Sequence, residues 1–483
     1  MNIVTENKVS FKTLEEYFFA CGCKIAAKAL GNYLQEIDQE LMKSRDKAVL
    51  RHKGHRKTCI KTHMGEVEYS RAVYQVIDGS TEKKFVYLLD EYLGLDNIGF
   101  ISSSLAGRIA DNACETSYAQ TAKNISTLTG QSISRQGVWN VVQKIGSKIE
   151  QQENRYIELN EEHKLQGERE IAILFEEADG IFPKLQKRYR RKGIKAFELK
   201  VAIAHEGWKQ TAPNRFELAN KTVVCDIATG KEFNKRKEAV LSSKYNTDEI
   251  NIRIFNSDGG GWIKQLHNYN DEAHFQLDPF HIQKAIRTSD AGGDYSKQVS
   301  TMLKEGRLDE LFNYLDAVAN SLESTSAEER VRRLLSYLRD NRNGLIPYQK
   351  RGLNLPELPD GLVYKGMGNG EHNMFLTVAK RMKHRGACWS PQGGLKLCKL
   401  LCRKVSKTLD ETIDCLTTFE IPERLREQSM KPLLSAGKVQ KKVGKGYEGK
   451  HTSIPFIDYA ISNETKGIVD WLKGKNFTLP SYF

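Results

Sequence analysis

No stretch of this 483-residue chain approaches the about 18 consecutive apolar residues needed to span a bilayer, so a helical membrane protein is excluded. Met1 to Leu14 has no basic segment leading into an apolar core, so no signal peptide is expected. The nine cysteines form no paired C-x-x-C pattern and read as reduced thiols of a cytosolic protein. Internal repeats and low-complexity tracts are also absent, which leaves ordinary globular domains. At roughly 100–200 residues per domain the length suggests three or four folded units. A hydrophobic fraction of 39% is too high for a disordered chain.

What the chain has in excess is positive charge. Lys and Arg number 74 against 61 Asp and Glu, a net charge of +13. That balance points to a polyanionic partner, with nucleic acid first, although a basic cytosolic protein with no such partner has the same composition.

The apolar pattern changes character several times along the chain. Residues 11–50 are helical and amphipathic in pattern. Arg51 to Val76 then alternates around Met64-Gly65, which predicts a basic β-hairpin. His52, His55, Cys59 and His63 lie in it, but their spacing fits no common zinc pattern, and a basic DNA-facing ribbon is expected instead. Residues 101–145 read as all-helical. Ser117 is expected to cap a helix with Tyr118, Ala122 and Ile125 on one face. After the Thr129-Gly130 turn, Ser132 is expected to cap a second helix, with Ile133, Trp139 and Val142 inward and Ser134, Arg135, Gln136 and Asn140 outward. A helical pair around a Gly turn with such polar side chains resembles a helix-turn-helix, with Ser134, Arg135 and Gln136 as its DNA-facing residues.

From about residue 170 strands take over. Ile171–Phe175 is expected to end at Glu176, Glu177 and Asp179. Segments 197–204 and 222–227, a helix near 230–245, and segments 252–255 and 274–277 follow. Three strands, a helix and two strands is the RNase H-like order, the first three antiparallel and the last two extending the sheet in parallel. Residues 282–345 are helical again, with Leu308, Leu311, Phe312, Leu315 and Leu322 on one face. Ser326 and Glu329 are expected as a capping box before the stripe Val331, Leu334, Leu335, Leu338. A helix from Glu371, carrying Arg381 and Trp389, resumes the sheet-bearing domain. The fold expected is therefore α/β, an RNase H-like mixed-sheet core interrupted by an all-α insertion and preceded by hairpin and helix-turn-helix regions. The divisions expected are 1–95, 96–150, 165–281, 282–360 (the insertion), 361–425 and a basic tail region 426–483.

Carboxylates at strand ends are the candidates for chemistry. Asp179 follows an apolar run and precedes Gly180; a turn or bulge aspartate reads the same way, and Glu177 shares its strand face. Asp258 follows Ile252–Ser257 and precedes three glycines, a position that faces the ligand crevice of an open α/β sheet. Asp278, before Pro279, is expected to cap a helix carrying His281. Glu371 follows Gly366, Gly368 and Gly370 at a helix start, where exposed glutamates are common. Two-metal phosphodiester chemistry needs several carboxylates on hard cations about 3.5–4 Å apart. Lys184 to Lys200 holds eight Lys or Arg and one acid, Glu198, beside Asp179. Arg188, Arg190, Arg191 and Lys192 in it are candidate phosphate contacts, which supply affinity and register but no sequence information.

Five blocks keep one order: Arg51–Gly54 through Lys61–Val67; Glu177-Ala178-Asp179-Gly180; Ser257-Asp258-Gly259 with Trp262-Ile263-Lys264; Leu277-Asp278-Pro279-Phe280-His281; and Gly370-Glu371 with Arg381–Gly386 and Trp389-Ser390. Together they resemble the ISLre-type insertion-sequence transposases, within the DDE transposases that carry an all-helical insertion. Each block is weak alone; five in order, over nearly the whole chain, are specific. The resemblance implies Asp179, Asp258 and Glu371 as the catalytic, metal-binding triad, holding two Mg2+ ions or Mn2+ in their place. It implies Asp278 and His281 beside the scissile DNA, with Arg381 and Trp389 supporting the site. The partners expected are double-stranded DNA, as the element's terminal inverted repeats and its target, and a second copy of the chain in a homodimer or higher oligomer on DNA. The place expected is the cytoplasm, on the nucleoid. A catalytically inactive DNA-binding derivative and an RNase H-fold nuclease are the alternatives.

Overall fold

The computed structural model describes residues 10–77, 84–94, 99–262, 273–290, 292, 294–368, 375–384 and 386–419. The chain divides into two compact units, one built from segments up to Ala113 with Ser117–Val141, the other holding Val142–Thr412.

The first unit opens with α1 (Phe11–Ser44), capped by Ser10, whose hydroxyl accepts from the Thr13 amide. A hairpin follows, β1 (Leu50–Thr62) and β2 (Gly65–Val76), with β3 (Phe85–Val86) on its edge. Alternation sends Ile60, Val67 and Tyr69 to one face, where they share a core with Leu34 and Ile37 of α1. Then come α2 (Leu88–Leu93), α3 (Ser103–Glu115) and α4 (Tyr118–Leu128), the last capped by Ser117 as its sequence predicts. The turn after α4 lies against the hairpin turn so closely that a Cβ on Gly130 would sit 2.8 Å from the Met64 carbonyl oxygen. Two expectations fail at α5 (Arg135–Glu161). Its cap is Ser134, whose Oγ accepts from the Gly137 amide at 3.0 Å, not Ser132. Trp139 is 40% exposed rather than inward, because the buried i, i+3, i+4, i+7 stripe runs through Val138, Val141, Val142 and Ile145.

The second unit is organised by a five-stranded sheet. Its strands are β4 (Ile173–Ile181), β5 (Leu199–His205), β8 (Thr222–Asp226), β9 (Ile252–Ser257) and β10 (Ala273–Leu277), in the spatial order β8-β5-β4-β9-β10. β4, β5 and β8 pair antiparallel, whereas β9 runs parallel to β4 and β10 parallel to β9. The first strand does not stop at its acids, as expected, but runs through them to Ile181. Pairing with β5 continues past Asp179, opposite Val201. Buried Glu176 is neutralised there by Lys237 at 2.6 Å and Arg253 at 2.5 Å. Between β5 and β8 the chain inserts an unforeseen hairpin, β6 (Trp208–Ala212) and β7 (Arg215–Leu218), whose turn holds Asn214 at φ 59°. With β11 (Leu362–Val363) it makes a separate three-stranded sheet. Helix α6 (Gly230–Ser242), with its Thr229–Glu232 capping box, places Phe233 and Val240 on Ala178, Ala202, Val224 and Phe255 of the five-stranded sheet.

After β10 come α7 (Pro279–Thr288), α8 (Tyr295–Glu305), α9 (Leu308–Ser321) and α10 (Thr325–Asp340), which share one apolar core through Ile282, Val299, Leu311, Leu315, Leu335 and Leu338. The cap of α10 is Ser324, accepting from Ala327, not the expected Ser326–Glu329 box, since the helix begins at Thr325. A π-helical turn (Phe375–Ala379) leads into α11 (Lys380–Met382), followed by α12 (Pro391–Val405) and α13 (Leu409–Asp414). Trp389 therefore does not share a helix with Arg381. The chain leaves the helix after Met382, passes Gly386 at φ 68°, and Ser390 caps α12 with Pro391 in its first turn. All nine cysteines are unbridged. Among the described residues no helix is long and apolar enough to cross a membrane.

Candidate functional site

Strand register alone brings three aspartates into a row. Ala178 of β4 is level with Ser257 of β9, and Ser257 is level with Leu277 of β10. The next residue on each chain is Asp179, Asp258 and Asp278. All three strands run the same way and lie about 4.8 Å apart, so the acids emerge side by side at one sheet edge.

Each is held differently. Asp179 Oδ1 accepts from the Gly180 amide at 2.6 Å. Burial pushes its carboxyl up to about 6, and the negative charges of Asp258 and Asp278 add to the rise. The Gly180 amide and His281 oppose it. Asp258 Oδ1 accepts from the Gly260 amide at 2.8 Å, and its main-chain carbonyl accepts from the Tyr337 hydroxyl at 2.9 Å. This turn needs Gly259, at φ 80°, since a Cβ there would meet the Asn341 side chain at 2.5 Å. Asp278 caps α7 as expected, accepting from the Phe280 amide at 2.8 Å, and its other oxygen accepts from the Asn256 amide group at 3.3 Å. Half-buried His281 lines the same cavity as Asp258. Glu177 is buried within β4, two residues deeper than Asp179.

Among the described residues no Lys or Arg forms an ion pair with Asp179 or Asp258. Carboxylates crowded together without a cation fit a hard divalent ion, which prefers oxygen ligands. Asp179 and Asp258 are the residues that would hold it. Among the described residues no three His, Cys, Asp or Glu side chains close a metal shell by themselves. Glu371, the third acid expected from sequence, lies outside the described residues, as does the basic run 438–450. The histidines and Cys59 of the hairpin do not gather. His52 and His55 rings are 5.0 Å apart, Cys59 pairs opposite Glu68, and His63 faces Ser104 around the turn.

The remaining expected residues form two further groups. The Arg381 guanidinium lies 5.1 Å over the Trp389 ring. The Trp389 amide donates to the Lys184 carbonyl and its carbonyl accepts from Gln186, both at 2.9 Å, so it anchors the segment that follows β4. Arg188, Arg190, Arg191 and Lys192 stand exposed on that segment, and Arg190 Nε donates to the Leu185 carbonyl. Ser134, Arg135 and Gln136 lie exposed around the start of α5, with Ser134 spent as the cap. Sequence reasoning missed Tyr337 and Asn256. Tyr337 was hidden in a helical run, while Asn256 is a polar residue just inside the end of an apolar strand, a signal that was available.

The profile of the Uncharacterised protein family UPF0236 matches residues 4–412. A UPF0236 protein of Streptococcus gallolyticus, encoded in the vanSb 3′ region, is 25% identical over 409 residues, 81% of this chain and 84% of its own length. Two UPF0236 proteins of Caldanaerobacter subterraneus subsp. tengcongensis are 20% identical. One is matched over 333 residues, 67% of this chain and 64% of its own length; the other, whose name joins eleven locus designations, is matched over 338 residues, 68% and 66%. The match thus spans under two thirds of those relatives. With the family profile covering most of the sequence, the chain belongs to the Uncharacterised protein family UPF0236.

Proposed function

We propose that the chain is an insertion-sequence transposase of the ISLre type, which binds its element's terminal inverted repeats and carries out Mg2+-dependent strand cleavage and strand transfer. The observation that carries this reading is the row of Asp179, Asp258 and Asp278 at one edge of a sheet whose first three strands are antiparallel and whose last two are parallel. On this reading the sheet is an RNase H-like core and α7–α10 belong to the helical insertion. The hairpin β1–β2 and the pair α4–α5 are the DNA-reading parts. A relative's name that joins eleven locus designations suits a gene multiplied with a mobile element.

Divalent ions held at Asp179, Asp258 and Glu371 would supply Lewis acidity at the attacking and leaving oxygens of a phosphodiester. The chain's own residues supply the rest. Asp179 must lose its proton to take part, and its place at about 6 makes that proton easily lost at neutral pH. The Gly260 amide and the Tyr337 hydroxyl fix Asp258 and its turn. His281, which lines the same cavity as Asp258, would contact the scissile phosphate. In the first reaction a water oxygen bonds to phosphorus and the P–O3′ bond breaks, freeing a 3′-hydroxyl. In the second that hydroxyl attacks a target phosphodiester and displaces another 3′-hydroxyl. Pairing two element ends calls for at least two copies of the chain on DNA.

The test is incubation with labelled duplexes copied from the DNA flanking the gene, with Mg2+. Joined products are expected from the wild-type chain and none from Asp179→Ala or Asp258→Ala, with DNA binding kept. Cleavage without joining would make it a nuclease of this fold, and binding alone an inactive derivative. His281→Ala is expected to slow cutting or joining much more than it weakens metal binding.

A further inference from the structure

Helices α7 and α10 turn their apolar sides into the shared core through Ile282 and Ile286 on one and Val331, Leu334, Leu335 and Leu338 on the other. Their adjoining edges leave a cavity of about 410 Å3 that begins at Asp258. His281, Lys284 and Thr288 line one wall, at helical spacings that put them on one stripe; Tyr337, Arg333 and Arg330 line the other. Tyr337 is bonded to the Asp258 carbonyl, so α10 leads away from the acids in the order Tyr337, Arg333, Arg330. The ends of each stripe are seven residue steps apart, about 10 Å of helix.

The charges are segregated. Among the described residues Asp258 is the one carboxylate in the lining. Lys284, Arg330 and Arg333 lie beyond it, and among the described residues none of them is in an ion pair. Arg332, on another side of α10, is bound to Glu328 at 2.7 Å. Arg330 donates to the Ser326 carbonyl and hydroxyl, and Arg333 to the Glu329 carbonyl. Each guanidinium has five donors, so several remain for a ligand. Lys284 and Arg333 are exposed and Arg330 is half-buried, so the groove presents three hydrated cations in a line that leads from Asp258, a charge pattern complementary to an anion lying along it.

We propose that this groove seats the sugar–phosphate backbone of one DNA strand entering the acidic edge, with Lys284, Arg330 and Arg333 contacting successive phosphates. The proposal rests on the transposase reading and adds to it a path for the strand and the residues that guide it. Their contacts are to phosphate, so they set register and affinity and not sequence preference.

The experiment is fluorescence anisotropy with a labelled duplex bearing a single-stranded extension, in Ca2+ over a series of salt concentrations. It compares the wild-type chain, Lys284→Ala and the pair Arg330→Ala/Arg333→Ala. The slope of log affinity against log salt should become shallower by about 1 for the single variant and about 2 for the double one. Mn2+ binding without DNA and thermal unfolding should be unchanged, since these side chains lie outside the apolar core. In turnover assays KM for DNA should rise while the rate at saturating DNA is retained. Unchanged slopes with wild-type binding intact would overturn the groove and leave the transposase reading standing. Shallower slopes in a chain that never cuts DNA would keep the groove and remove that reading. A chain with no DNA affinity would remove both.

Discussion

At Asp179 the surroundings oppose the charge that the proposed chemistry needs. Its carboxyl sits at about 6, against roughly 3.9 in an unfolded chain, so between these values the folded state holds the proton that the unfolded state has lost. The resulting penalty on folding is absent below about pH 4, grows towards pH 6 and is constant above. Asp179→Asn is therefore expected to stabilise the metal-free chain by about 1–3 kcal/mol at pH 7.5 and by nothing at pH 3.5. Denaturant unfolding at the two pH values checks this, and equal effects at both would place the strain elsewhere. The same proton competes with a cation. Stabilisation of the wild-type chain by Mg2+ should be full at pH 7.5, fall as pH drops through 6, and vanish in the variant. Asp179 was legible in the sequence as an acid beside an apolar run, but its proton affinity was not. That depends first on burial in the folded chain and then on Asp258 and Asp278, 79 and 99 residues further along, which parallel pairing places beside it.

Elements carry two further expectations. Arg253 of β9 reaches both Glu176 of β4 and Glu238 of α6, and Lys237 bonds Glu176 from the same helix. Arg253→Met would leave Glu176 buried with half its compensation, at an expected cost of about 3–5 kcal/mol in denaturant unfolding. A loss under about 1 kcal/mol would mean that Lys237 suffices. At the start of α5 neighbouring residues separate structure from recognition. Ser134→Ala removes the cap and should cost about 0.5–2 kcal/mol of stability. Arg135→Ala should leave stability alone and weaken the preference for element ends over random DNA by about 1–3 kcal/mol. If the Arg135 variant keeps that preference, α5 is not the reading helix. Element ends also mark where sequence reading slipped. Ser132 and Ser326 were as good caps on paper as Ser134 and Ser324, and the choice fell to the residue whose hydroxyl meets an amide once the helix has packed. Hairpin β6–β7 escaped notice because its strands are short and largely exposed, although Pro213-Asn214 was a usable turn signal.

For the molecule as a whole, the sequence by itself determined the succession of hairpin, helices, strands and helices, and most of the buried stripes. These follow from local periodicity, since alternation at two residues or at 3.6 residues commits a segment before it meets a partner. It also determined which residues could carry metal or phosphate chemistry, because carboxylates and guanidinium groups are recognisable by type. Only the tertiary structure decided which of them meet. Strand register aligned Ala178, Ser257 and Leu277 and thereby the three aspartates that follow them. Packing turned Trp139 outward, separated Trp389 from the helix of Arg381, and set Lys284 across a groove from Arg330 and Arg333. The physical reason is that long-range pairing is chosen by the fit of whole faces and by loop closure. No window along the chain contains both sides of such a contact.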